Sequence, residues 1–299
     1  MKFRISGFFK SVLDFLLFSN IFISLCAVAQ ALVTYQLLNV KPEKYILALL
    51  FFATLAQYNF SILLSKPVKP QNSPFRRVRW IFSHYRLMIT LTIAATLSLI
   101  PLVFLLSVPS QILLIFLGVL SVAYALPIFS FHDKSFGLRN IPGIKLFLIA
   151  MVWSLSTVLL PIVEMETTVG FVISSRETIL LVTKRFLLVV AITIPFDIRD
   201  LFQDRSSALK TIPVLLGEKK AYLFCQIILS IYLGLLFLFI DRFDQNFIAL
   251  SLTIFLAGWL IFKSNFAKDE YYYFLYLDGI LILQFLMLTA VNQISFLHF

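Results

Sequence analysis

Nine long apolar stretches, near residues 15–38, 44–65, 86–107, 110–129, 144–163, 178–197, 220–240, 246–262 and 272–291, occupy most of this 299-residue chain. An α-helix needs roughly 20 apolar residues to cross about 30 Å of hydrocarbon. Inside lipid it also satisfies its own backbone polar groups, which an open strand or loop does not. The pattern therefore predicts an all-α integral membrane protein with about nine transmembrane helices, forming a single transmembrane domain over 1–299. The eighth stretch is the shortest. Charged residues make up only 13% of the chain, against about 25% in soluble domains, and the mean hydropathy is +0.95.

The charges orient the spans. The N-terminus and the loops after the second, fourth, sixth and eighth spans carry 19 of the 25 Lys and Arg residues. The opposite side carries only Lys41, Lys44, Arg176 and Arg242, while Lys184 and Arg185 fall inside the sixth span. Positive charge collects on the cytoplasmic side. The expectation is a multi-pass protein of a prokaryotic cytoplasmic membrane, N-terminus inside and C-terminus outside. The net charge of +10 mostly reflects this asymmetry. No basic soluble domain exists to bind nucleic acid, so the bilayer is the expected surface partner. Lys2, Arg4 and Lys10 precede the first span without a small-residue cleavage site, which predicts a retained helix. Cys26 and Cys225 fall within spans, which supports neither a disulfide framework nor zinc. His84, His132 and His298 are scattered, against a His-based metal centre.

The richest polar segment is PFDIRDLFQDRSSALKTIPVLLG, residues 195–217. Asp197, Asp200 and Asp204 lie at i, i+3 and i+7, on one face of a helix. A carboxylate cluster where an apolar run meets the membrane surface is costly without compensation. Mg²⁺ takes oxygen ligands and commonly binds through one or two carboxylates plus substrate phosphates. The three aspartates thus read as half of a Mg²⁺–phosphate site. The same spacing also fits a solvated helix end with no ligand.

Other polar residues carry two readings each. Gln57, Tyr58 and Asn59 interrupt the second span, either lining a cavity or bonding between helices. Asp278 lies in the last span, as a functional carboxylate or as an interface residue beside Tyr271, Tyr272, Tyr273 and Tyr276. Lys184 can snorkel outward, whereas Arg185 lies deeper, within reach of a carboxylate or an anion. The basic loop 66–86 begins with Pro67, Pro70 and Pro74 and ends as an amphipathic helix around Trp80, Ile81 and Phe82. Its charges suit anionic lipid headgroups or the phosphates of a ligand.

Nine spans, charged 2–3 and 6–7 loops and the segment DIRDLFQDRSSALKTIPVLLG together resemble the UbiA superfamily of intramembrane prenyltransferases. The resemblance implies a helical bundle around a central cavity, with Mg²⁺ and an isoprenyl diphosphate at its cytoplasmic mouth. Asp200 and Asp204 match the second family motif, DxxxD, and Lys210, Thr211 and Gly217 follow in register, with Ala208 in place of the usual Gly. Tyr124 and Pro127 weakly resemble a Tyr-Pro element after the fourth span. The resemblance thus implies Asp200 and Asp204 as catalytic residues, with Asp197 joining them as metal ligands. It implies Lys66, Lys69, Arg76, Arg77, Tyr124 and Lys210 as substrate contacts. The implied partners are a polyprenyl diphosphate and an aromatic or other lipophilic acceptor.

The first family motif, NDxxDxxxD at the end of the second span, is missing. With Asn59 as its Asn, the aspartate positions fall on Phe60, Leu63 and Pro67; a register from Gln57 and Tyr58 puts them on Phe60 and Leu64. No acidic residue occurs between Glu43 and Asp133. Three functions stay open: prenyl transfer, lipid binding or assembly without activity, and small-solute transport. The last is disfavoured, because transporters tend to place charges at the bilayer midplane and most acidic residues here lie at the membrane faces. Acceptor identity, prenyl length and oligomeric state are not encoded in any motif.

Overall fold

The structure, a computed structural model, describes residues 7–126, 129–131, 134–136, 143–201, 211–239, 244–265 and 268–296. Asp204 and Lys210, together with Pro127 and Ala208, lie outside the described residues.

The chain opens with helix α1 (Gly7–Phe18) and α2 (Ile21–Leu37), bent by 62° relative to each other. The bend falls at Asn20, whose φ of 68° breaks the helix; Asn is one of the few non-glycine residues that visit this region readily. Helix α3 (Lys44–Leu64) follows, then a 3₁₀ turn (Pro70–Asn72) and the short α4 (Arg76–Ser83). Helices α5 (Tyr85–Phe104), which packs on α3, and α6 (Val108–Ala125) lead to a small hairpin, β1 (Phe129–Phe131) with β2 (Lys134–Phe136). That hairpin pairs Phe129 with Phe136 and Phe131 with Lys134, an addition to the all-helical expectation.

Helices α7 (Ile144–Ser154) and α8 (Leu160–Thr168) form one span, joined by a π turn at Leu155–Leu159. Then come α9 (Ser175–Arg199), a single turn α10 (Ile212–Leu216), α11 (Glu218–Leu238) and α12 (Gln245–Lys263). A second π turn, Tyr272–Leu277, leads into α13 (Gly279–Phe296). Among the described residues, seven helices are long and apolar enough to cross a membrane, or eight if the bent α1–α2 pair counts as one span. The helix at Val108–Tyr124 is a shorter apolar one. Seven of the nine predicted stretches thus correspond to such helices, the first is the bent pair, and the fourth is helical only over Val108–Ala125, so the count of nine spans is not reached among the described residues.

The core is shared by α2, α7, α9, α11, α12 and α13, where Cys26, Leu188, Ala191, Ile194, Ala257 and Leu277 are fully buried. Small residues such as Ala191 and Ala257 allow helices to approach closely in place of GxxxG pairs.

Two buried polar clusters tie the spans together. Arg185 donates to the Gln30 carbonyl (2.8 Å) and to Thr157 Oγ1 (2.8 Å) on the π turn. Gln30 in turn donates to the Leu281 carbonyl (2.7 Å) and to Gln284 (3.1 Å). Arg185 thus takes carbonyl and hydroxyl partners in place of the expected carboxylate or anion. At the start of α6, Glu164 accepts from Tyr45 (2.8 Å) and from the backbone (3.1 Å) and hydroxyl (2.7 Å) of Ser107. A carboxylate at a helix N-terminus is favoured by the helix dipole, and here it fastens the α5–α6 pair to α8.

Candidate functional site

The site lies at the C-terminal end of α9, under the loop that ends in α4. Three contiguous spaces meet at Tyr58.

The first is a polar chamber of about 200 Å³. Its walls include Asp197, Arg199 and Asp200 from the end of α9, Lys145 from the start of α7, Arg77 from α4 and Asp278 from the last span. The second, about 350 Å³, is lined by Gln57, Tyr58, Ser61 and Ser65 of α3, Tyr124 of α6, Trp153 of α7 and again Arg77. The third, about 470 Å³, is almost wholly apolar and lies between α3, α5 and α6, with Leu99, Val103, Leu114 and Gly118 on its walls. A charged chamber beside an apolar space suits an amphiphile with an anionic head.

Arg77 stands at the junction of the first two spaces. The α4 N-terminus is capped by Glu270, whose carboxylate accepts the backbone N–H groups of Arg76 (2.6 Å) and Arg77 (2.8 Å). The Arg77 guanidinium donates to Asn20 Oδ1 (2.5 Å), and Asn20 donates to Asn59 Oδ1 (2.6 Å). The ring of Phe274 lies 4.5 Å beneath the same guanidinium. Burial, aided by nearby Arg199, pulls the Arg77 pKa down from 12.5 to about 10. Removing a charge from water raises its energy, yet at neutral pH Arg77 is still a cation. Its burial cost is a standing incentive to accept an anion.

Two of the chamber's three carboxylates, Asp197 and Asp200, already have cation partners. Lys145 Nζ bonds Asp197 Oδ1 at 2.5 Å. Arg199 grips Asp200 bidentately, at 2.8 and 3.0 Å. The Arg199 guanidinium is also ringed by Phe75, Phe196, Tyr273 and Phe274, each centroid between 5.2 and 5.4 Å away. Cation–π contacts of this kind add to the hold. Asp278 lines the same chamber and is half-buried.

These side chains do not offer Mg²⁺ a ready ligand set. Asp197 and Asp200 are each held by a cation, and no group of three His, Cys, Asp or Glu side chains among the described residues is placed to hold a metal. The opposite wall supplies no carboxylate either. The cavity-lining face of α3 carries Gln57, Tyr58 and Ser61, with Ser65 just beyond its end, and none of these is acidic. Phe60 lines the apolar space, Leu64 is exposed, and Asn59 turns away to Asn20.

Of the substrate contacts expected from sequence, Arg77 and Tyr124 line the cavity system. Arg76 does not: it pairs with Asp14 and donates to Tyr271 (2.7 Å), pinning α4 to α1. Lys66 lies over the Tyr85 ring at 5.1 Å, and Lys69 is exposed. Lys145, Arg199, Asn20 and Trp153 were not singled out by sequence. Lys145 carried one legible signal, a lone cation at the start of an apolar span; Asn20 carried none, because its role depends on the bend.

No protein-family model matches the sequence, and no curated protein sequence matches it significantly. Solved structures do match it. A UbiA homolog from Aeropyrum pernix K1, without ligand, superposes with a TM-score of 0.67 over 91% of this chain and 98% of its own, at 14% identity. The UbiA homolog from Archaeoglobus fulgidus bound to GPP and Mg²⁺ gives 0.65 over 94% and 99%, also at 14% identity.

This chain has the UbiA fold.

A digeranylgeranylglyceryl phosphate synthase gives 0.56 at 12% identity, over 95% of this chain and 99% of its own. The UbiA fold is thus present over nearly the full described length, as a multi-pass membrane protein. A further form of the Archaeoglobus fulgidus homolog is bound to DMAPP and Mg²⁺.

Proposed function

We propose that this protein is a UbiA-type intramembrane binder of polyprenyl diphosphates, related to the prenyltransferases, in which binding outlasts turnover. One observation carries the reading: a polar chamber containing Arg77, Lys145 and Arg199 and an apolar space of about 470 Å³ share Tyr58 as a wall. The diphosphate would meet Arg77 first, and Lys145 and Arg199 could turn to it from their carboxylates. The prenyl chain would run between α3, α5 and α6, beside Trp153.

Prenyl transfer breaks the bond from the allylic carbon to oxygen, and the diphosphate leaves with the electron pair. A lipophilic acceptor then supplies electrons to that carbon and releases a proton. The leaving group needs preorganised positive charge on more than one side. Arg77 supplies it on one side, while Tyr58, Ser61 and Ser65 supply only hydroxyls on α3. A non-catalytic lipid-binding protein is the second reading, favoured by that hydroxyl-lined wall. Mg²⁺ coordination by Asp200 and Asp204, with Asp197 behind them, is the competing proposal for the head, supported by the Mg²⁺-bound structures of the same fold.

A chain-length series tests the reading. Lengthening a prenyl diphosphate by one isoprene unit, from five to ten carbons, should tighten binding by at least about tenfold, or 1.4 kcal/mol. A Cβ at Gly118 would meet open space in the apolar tunnel, so Gly118→Phe should abolish that gain. Equal affinities for both lengths in the parent protein would remove the tunnel from the function.

A further inference from the structure

A fourth cavity, about 400 Å³, opens at the other end of the molecule. It lies beside the start of α9, whereas Asp197 and Asp200 lie at its end; the 20 residues from Glu177 to Asp197 span about 30 Å. Its floor is apolar, built from Leu181, Leu236 and Leu250 among others. Its polar lining is Glu177, Lys184, Asp244 and Asn246.

The order of these charges with depth is specific. Glu177 and Asp244 are exposed at the rim and Lys184 is half-buried. Glu177 and Lys184 are seven residues apart on α9, two turns on one face, so the Lys184 backbone sits about 10 Å closer to the membrane centre. Lysine reaches back toward the surface, and for Lys184 that is the direction of Glu177, one of the two rim carboxylates.

The two acids are held in place by helix caps. Ser174 and Glu177 form a capping box, with Ser174 Oγ donating to Glu177 Oε2 at 3.0 Å. Asp244 Oδ1 accepts the Phe247 N–H at 2.8 Å. Each cap engages one carboxylate oxygen. Lys184 has no hydrogen-bond or ion-pair partner among the described residues, and Asn246 Oδ1 is buried without one. A cation poised below two fixed carboxylates, above an apolar floor, is the complement of a zwitterionic lipid: phosphate deeper, ammonium outermost, chains below.

We propose that this cavity binds the headgroup of an ethanolamine phospholipid, with its phosphate on Lys184 and its ammonium between Glu177 and Asp244. A primary ammonium can donate hydrogen bonds to both acids; a choline headgroup cannot, and a glycerol headgroup brings no positive charge. The site is independent of the polyprenyl chamber.

The test is native mass spectrometry of the purified full chain with ethanolamine, choline and glycerol phospholipids of identical acyl chains. Ethanolamine phospholipid should bind at least fivefold more tightly than either of the others. Glu177→Gln with Asp244→Asn keeps both caps and should erase that preference. Lys184→Met should weaken all three lipids by a similar factor. Equal binding of the three lipids by the parent protein, a preference for the glycerol headgroup, or a preference that survives loss of both carboxylates would overturn the proposal. Should the double variant fail to fold, the ranking by the parent protein decides alone.

Discussion

Helices α3 and α9 both wall the cavity system, and they bring different chemistry to it. The lining of α3 is Gln57, Tyr58, Ser61 and Ser65, without a charge. The lining of α9 is Asp197, Arg199 and Asp200, and both carboxylates are bonded to cations. The difference separates what each wall can do. A hydroxyl wall can hydrogen-bond a head group, but it cannot fix a dication. An ion-paired wall can exchange a carboxylate for a phosphate without importing a metal. Glu164 marks the contrast: it is fully buried, and neutral donors from Tyr45 and Ser107 satisfy it, a structural arrangement with nothing to exchange.

The comparison can be broken from either wall. The largest effect should come from Arg77→Ala, which removes the cation at the junction and its bond to Asn20. Loss of a charge-assisted contact of about 2 kcal/mol predicts roughly thirtyfold weaker binding of a prenyl diphosphate by calorimetry. A loss below about threefold would move the head group elsewhere. Next, Ser61→Asp with Ser65→Asp returns carboxylates to α3. Binding by that variant should become Mg²⁺-dependent, tightening by about tenfold on adding the metal. An unchanged Mg²⁺ response would show that α3 does not face the head group. The smallest effect is expected from Asp200→Asn, which releases Arg199 toward the ligand. Metal-free affinity should stay level or rise by about threefold at most. If Asp200 is instead a Mg²⁺ ligand, affinity should fall by about tenfold, or 1.4 kcal/mol.

Much of the fold was legible because hydrocarbon leaves little choice: a twenty-residue apolar run is a helix. The Asn20 bend was not, since an asparagine in the left-handed region is a local event inside an otherwise uniform apolar run. Asp197 and Asp200 were legible from their spacing, and they share a chamber as that spacing implied. Their partners were not, because Lys145 is 52 residues away in sequence from Asp197. Arg199 was hidden by adjacency: it neutralises its own neighbour, which a face-by-face reading of the helix places apart. On α3 the sequence drew attention to Gln57, Tyr58 and Asn59 together; Gln57 and Tyr58 line the cavity, while Asn59 bonds to Asn20. The pattern Gln57, Ser61, Ser65 at intervals of four was available, but serine in a membrane helix usually bonds its own backbone.

The most direct measurement is the affinity of the purified protein for a ten-carbon prenyl diphosphate in detergent, first with a chelator and then with millimolar Mg²⁺, with product formation followed in the same samples using lipophilic acceptors. Head-group binding by Arg77, Lys145 and Arg199 predicts affinities within about threefold of each other and turnover far below the ~1 s⁻¹ of ordinary enzymes. Tightening by about tenfold or more with Mg²⁺, together with turnover near ~1 s⁻¹, would contradict it and show that Asp200 and its neighbours hold a metal after all.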